Sequence, residues 1–203
     1  MKNVISRKYH TNVSYERVRQ CLLRLDPYGV QLRSKNVIRR RVYNTNGPCD
    51  VIHVDGFDKL KKWGFALHGG IDGFSRKILW LNVSTTNNDP LVVANYFLQF
   101  LSKYRRSPRQ LRFDYGNENI YCEDIQSFLR GAGGYIYGSS VRNQRIEALW
   151  SRLLRYRLRW WIDVFQTMGG DGLYHGELLI HKELMLFCFM SALQYELNEF
   201  KSP

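Results

Sequence analysis

From residue 50 onward the chain alternates strand and helix patterns in an order that few architectures accommodate. DVIHVDGF (50–57) carries Val51, Ile52 and Val54 in a short apolar run. GFALHGGIDGFSRKILWLNV (64–83) reads as two strands around an Asp72-Gly73 turn, a dipeptide suited to the tight reversal of a hairpin. A helix is predicted over 90–104, with Pro90 in its first turn and Asp89 as its cap. Next come a strand at 110–114, a helix over Glu123–Leu129, a strand at 134–138, and a long helix running from Ser140 to Phe165. Residues 177–200 read as a last apolar helix. Three antiparallel strands followed by helix-crossed strands predict an α/β chain: a mixed five-stranded sheet with helices on both faces.

The segment before residue 49 is different in kind. Net charge is +12, and residues 1–48 hold eleven Lys and Arg against Glu16 and Asp26, leaving +3 for the remainder. Segregated positive charge suits a polyanion, because each cation set on a phosphate releases condensed counterions. The alternative is a solvated basic tail. Residues 14–25 read as a short helix capped by Ser14, ended by Asp26-Pro27. A second basic piece follows the DPYG turn and includes Arg39, Arg40 and Arg41. The two pieces resemble part of a helix-turn-helix unit, which needs a third helix for a core. Asn44–Pro48 reads as a linker. The expected division is 1–48 basic helical segment, 49–166 core, and 167–203 helical C-terminal extension.

Cys21, Cys49, Cys122 and Cys188 are scattered without a CxxC pair, which argues against a disulfide framework or a zinc module. The first twenty or so residues lack the apolar stretch of a secretory signal, so an intracellular chain is expected, and no apolar run is long enough to span a membrane.

Three acids stand where strand ends meet a helix. Asp55 ends the first strand, Asp114 the fourth, and Glu147 lies inside the long helix. Ligands of open α/β sheets bind outside such strand ends. Three carboxylates gathered there repel one another unless a hard cation lies between them, the arrangement Mg²⁺ or Mn²⁺ takes. A pair of such ions clamps the attacking and leaving oxygens of a phosphoryl displacement. An aspartate at a strand end is, however, more often a turn or cap residue. Asp58, Asp72 and Glu118 have similar surroundings, Asp72 being best explained by the hairpin turn. Spacing alone leaves both readings open.

The words around the acids add to this. HVDGFDKL, WGFALHGGIDGFSR, RFDYGNEN and GSSVRNQRIEALW, in this order, resemble the integrase core of retroviral integrases and related transposons. The nearest likeness is to integrase-core proteins of animal genomes that carry a GxSxxNxRIExLW word. The resemblance extends over about residues 14–200, and the Asp114-to-Glu147 separation is close to the retroviral one. It implies a ribonuclease-H-like fold in which Asp55, Asp114 and Glu147 are the catalytic and metal-binding triad for two Mg²⁺ or Mn²⁺ ions, Asp55 bridging both. The implied reaction is attack of water or a DNA 3′-hydroxyl on a phosphodiester: DNA cleavage and strand transfer by a transposable-element integrase or transposase.

Asn143, one turn before Glu147, is placed either against the DNA backbone or at the helix cap. His53 and Lys59 flank the first acid and either contact phosphates or face solvent. With Arg39, Arg40 and Arg41, Lys59 and Asn143 make up the candidate DNA-contacting set. Arg145, Arg152, Arg155 and Arg159 fall on one helical stripe pointing away from Glu147. Trp150, Trp160, Trp161 and Phe165 read as core or subunit interface. The implied partners are DNA and further copies of the chain, with no membrane and no small-molecule cofactor; the implied location is the nucleus. Two other readings stay open: a domesticated, non-catalytic DNA-binding or interaction scaffold on the same fold, and a nuclease that hydrolyses without joining.

Overall fold

The computed structural model describes residues 12–35, 43–138 and 143–202. The chain divides into two compact units, Met1–Tyr43 and Asn44–Pro203. In the first, α1 (Tyr15–Leu25) and α2 (Pro27–Lys35) are separated only by Asp26. The Ser14 hydroxyl accepts from Arg17 N at 3.3 Å and caps α1. DPYG is not a free turn: Asp26 Oδ1 accepts from Gly29 N at 2.8 Å and Pro27 takes the first helical position, so the motif starts a helix. Arg39, Arg40 and Arg41 lie outside the described residues.

In the second unit, five strands run β1 (Val51–Phe57), β2 (Ala66–Asp72), β3 (Ile78–Ser84), β4 (Gln110–Phe113) and β5 (Tyr135–Tyr137). Their order is β3-β2-β1-β4-β5. The pairs β1–β2 and β2–β3 are antiparallel, while β1–β4 and β4–β5 are parallel. This is the expected mixed sheet, ribonuclease-H-like in its topology. Asp72 closes the hairpin as expected: Oδ2 accepts from Ser75 N and from Ser75 Oγ, and Oδ1 accepts from Cys49 N.

Helices cover both faces. On one side lie α3 (Pro90–Tyr104), started by Asp89 accepting from Leu91 N at 2.9 Å, and α4 (Ile120–Arg130). Here Ile52, Val54, Trp80, Phe97, Phe100, Leu111 and Phe113 form a closed cluster. The α4 helix starts earlier than its apolar spacing predicts, because a 3-10 turn at Asn117–Asn119 leads directly into it.

On the other side a continuous helical rod holds α5 (Gln144–Leu153), a π turn at Leu154–Leu158 and α6 (Arg159–Gly170). It is followed by α7 (Leu179–Lys201). Leu67, Ile71, Leu81, Ile146, Leu149, Leu153, Phe165, Leu193 and Leu197 belong to one cluster on this face. The C-terminal helix is therefore part of the same core and not an appendage: Gln194 accepts from Val83 N and donates to Leu81 O on the sheet. Residues 44–48 likewise belong to the core unit, with Asn46 N donating to Asp50 Oδ2 at 2.9 Å. Among the described residues no helix is long and apolar enough to cross a membrane.

The π turn changes the expected arginine stripe. One residue more per turn rotates everything after it relative to α5, so a constant advance of about 100° per residue does not carry from Arg145 to Arg159. Two of the stripe's arginines have local partners, Arg159 pairing with Asp163 and Arg152 lying over the Phe200 ring, and the neighbouring Arg157 pairs with Glu196. Trp150, Trp161 and Phe165 are buried, as core residues should be, whereas Trp160 is exposed.

Candidate active site

Side chains of a strand alternate between faces, so β1 divides its residues between the two helical layers. Ile52 and Val54 face α3. His53, Asp55 and Phe57 face α5, and each meets a residue of the NQRIEALW word or its flank. His53 Nδ1 and Asn143 Oδ1 are 2.6 Å apart. Trp150 Nε1 donates to Asp55 Oδ2 at 2.8 Å. The rings of Phe57 and Trp150 stack with centroids 5.1 Å apart. One strand and one helix are thus joined at three consecutive steps.

The first contact corrects the sequence reading of His53. This ring is fully buried, not solvated, because β1 is the central strand and both its faces are covered. Asn143 is buried too, and it makes no side-chain cap on α5. Its Nδ2 donates to Val54 O at 3.0 Å, which leaves Oδ1 as acceptor and places the imidazole proton on Nδ1 of His53. Burial pushes the His53 pKa down to about 4, so the ring is neutral at pH 7. The side chain of Asn143 is therefore spent inside, tying the start of α5 to β1.

Asp114 follows the end of β4. The parallel register pairs Ile52 with Leu111 and His53 with Arg112; continued two steps, it sets Asp114 beside Asp55 on the neighbouring strand. Adjacent strands lie about 4.8 Å apart, and a separation of two residues preserves the face, so the two carboxylates share the α5 side. Glu147 stands exposed in the first turn of α5, where the helix dipole favours negative charge.

The electrostatics join the three. Asp55 is pushed up to about 7, foremost by burial, then by the charge of Asp114; the Trp150 hydrogen bond opposes this, and Glu147 adds to it. Asp55 thus feels both other acids. Among the described residues no three His, Cys, Asp or Glu side chains are gathered closely enough to hold an ion as they stand. The donor set nevertheless suits a hard divalent cation: all-oxygen, anionic, and relieved of mutual repulsion by positive charge. Trp150 holds Oδ2 of Asp55, and a backbone hydrogen bond from Gly56 also reaches its carboxylate.

The other acids have local duties. Asp58 accepts from Lys61 and from Asn87, Asp72 holds the hairpin, and Glu118 accepts from Asn119. Lys59 is exposed just beyond β1. Sequence reasoning did not find the Trp150–Asp55 bond. The signal was present in the spacing of Asn143, Ile146, Glu147 and Trp150, which returns to one helical face every three or four residues.

A central β1 flanked by β2 and β4, with acids on β1, after β4 and on a helix across that edge, defines a ribonuclease-H-like fold. The chain belongs to the integrase core domain family, whose model matches residues 42–203. Among solved structures it is similar to the HTLV-2 integrase catalytic core domain, determined in complex with magnesium in a trimeric form. The identity is 19%, the match covers 57% of this chain and 75% of that one, and the TM-score is 0.41. No curated protein matches the chain.

Proposed function

We propose that the chain is a polynucleotidyl transferase that cuts and joins DNA, with Asp55, Asp114 and Glu147 as its catalytic carboxylates. The observation that carries this reading is the coupling of Asp55 to both other acids at the C-terminal edge of β1 and β4, in a chain of the integrase core family. Two Mg²⁺ or Mn²⁺ ions held there would polarise the scissile phosphodiester and activate the attacking hydroxyl. The protein's own part is orientation. Trp150 fixes Oδ2 of Asp55, the His53–Asn143–Val54 latch sets the start of α5, and α5 presents Glu147 towards the strand ends.

DNA would be gripped by the basic N-terminal segment, with Arg39, Arg40 and Arg41, and by Lys59 beside the acids. Pairing of two DNA ends calls for more than one copy of the chain, and a DNA substrate places it in the nucleus.

The test is cleavage and strand transfer on oligonucleotide duplexes with Mn²⁺, comparing wild type with Asp114→Asn and Glu147→Gln. Products from wild type alone support the assignment; equal activity in either variant sinks it. The second reading is a DNA-binding scaffold without catalysis. That reading predicts DNA retention by all three proteins and products from none.

A further inference from the structure

A hollow of about 310 Å³ opens at the N-terminal end of β1, on the α3 side of the sheet and away from the acids. Pro48, Leu79, Phe100 and Tyr104 line it with apolar surface, the last three being part of the core cluster of that face or packed on it. Lys77 and Arg106 line it with charge. A second hollow, of about 480 Å³, shares Pro48, Cys49 and Arg106 with the first, so the two make one groove.

The charge of this groove is not balanced from within. Asp72 lines the first hollow, but its carboxylate is spent on Cys49 N, Ser75 N and Ser75 Oγ. Asp50, in the second, holds Arg109. Lys77 Nζ and Lys103 Nζ both lie over the ring of Tyr104, 5.7 Å and 5.6 Å from its centroid. The pKa of Lys201, at the end of α7, is lowered by burial and then by the charge of Lys103. Among the described residues none of Lys77, Lys103, Arg106 and Lys201 pairs with a carboxylate. Like charges gathered round an apolar hollow repel one another, and an anion seated there relieves them.

The shape of the groove says which anion. A DNA duplex offers phosphates but no apolar group to fill a hollow. A free organic acid fills the hollow but meets few of the cations, which extend from the end of α3 to the end of α7. A peptide supplies both an apolar anchor and carboxylates spaced along a chain. We propose that this groove is a docking site for an acidic peptide segment of a partner protein. One aromatic or aliphatic side chain fills the hollow at Tyr104, and flanking carboxylates meet Lys77, Lys103 and Arg106. The site is separate from Asp55 and Asp114, which face the other helical layer.

The experiment titrates the full chain, without metal or DNA, with fluorescein-labelled peptides. Each carries a pair of glutamates on both sides of a central tryptophan, phenylalanine, leucine or glycine. Anisotropy is read for the wild type and for the double variant Lys77→Glu, Arg106→Glu, both positions being exposed. An apolar centre should bind at least roughly tenfold tighter than glycine, and the variant should lose roughly tenfold at an unchanged thermal midpoint. The tightest peptide should also slow iodoacetamide alkylation of Cys49, which lines both hollows, and leave that of the exposed Cys188 unchanged. No binding by any of the peptides, undiminished affinity in the variant, or an unprotected Cys49 each overturns the docking site. Tighter binding of a single-stranded oligothymidylate that displaces the peptide and protects Cys49 overturns it too, and assigns the groove to nucleic acid.

Discussion

The indole Nε1 of Trp150 donates to Oδ2 of Asp55 at 2.8 Å, joining positions 95 residues apart in the chain. The same ring stacks on Phe57, the next residue of β1 on that face, so the indole is held by the core while its polar edge holds the acid. Core packing and site geometry therefore depend on one side chain. Trp150→Phe keeps most of the apolar contact and removes the donor. Losing a hydrogen bond to a carboxylate and part of a buried ring should cost about 2–3 kcal/mol in urea unfolding. A supporting residue of this kind also sets ligand orientation, and Mn²⁺ affinity by calorimetry should fall at least roughly tenfold. Wild-type affinity in the folded variant would show that Asp55 is oriented without the indole.

The close approach of Trp150 to the sheet explains a glycine. A Cβ on Gly69, the residue paired with Asp55 across β1 and β2, would lie 2.8 Å from Cη2 of Trp150. The ring has no free direction to yield, being stacked on Phe57. Gly69→Ala should destabilise the fold by about 1–3 kcal/mol through overpacking. In Trp150→Phe the offending ring atoms are gone, so the double variant should be less destabilised than the two single costs added together. Urea midpoints of the four proteins measure this coupling, and simple additivity would refute the contact.

How much of this was legible in the residues depends on which ones are considered. The hairpin could be read because Asp72-Gly73 is a local signal, and Asp72 indeed spends its carboxylate on Ser75 and Cys49. The strand order and the positions of Asp55, Asp114 and Glu147 were carried by the words around them. What escaped was whatever depends on a face. His53 looks solvent-exposed beside an acid, and only its place on a central strand covered on both sides buries it. The π turn at Leu154–Leu158 has no sequence mark, and it breaks the helical phase on which the arginine stripe was built. Trp150 was legible as a core residue, but its polar edge finds Asp55 only once α5 is laid across β1.

Asn143 offers a test of the latch between these elements. Its truncation to alanine strands two buried groups at once, the Nδ1–H of His53 and the carbonyl of Val54. Each unsatisfied group costs about 1–3 kcal/mol, so a total loss of about 2–4 kcal/mol is expected from chemical denaturation. DNA affinity in the folded fraction should be unchanged, because the side chain is internal. A stable Asn143→Ala protein with weakened DNA binding would reverse this assignment and return Asn143 to the interface.

Acid should weaken the second unit through His68, buried on β2 under Tyr96 and Trp80, whose indole donates to Nδ1 at 3.1 Å. Burial pushes its pKa down from 6.5 to about 3. In that window the unfolded chain binds a proton that the folded chain refuses, so folding stability is fully present above pH 6.5 and declines as pH falls. Each pH unit is worth about 1.4 kcal/mol, giving a loss of about 2 kcal/mol by pH 5 from this residue alone. His68→Phe leaves the Trp80 indole without its acceptor and should be less stable at pH 7.5. Its stability should nevertheless fall less steeply between pH 7 and pH 5 than that of the wild type. Parallel profiles for the two proteins, measured by urea unfolding, would mean that His68 takes up its proton in the folded state.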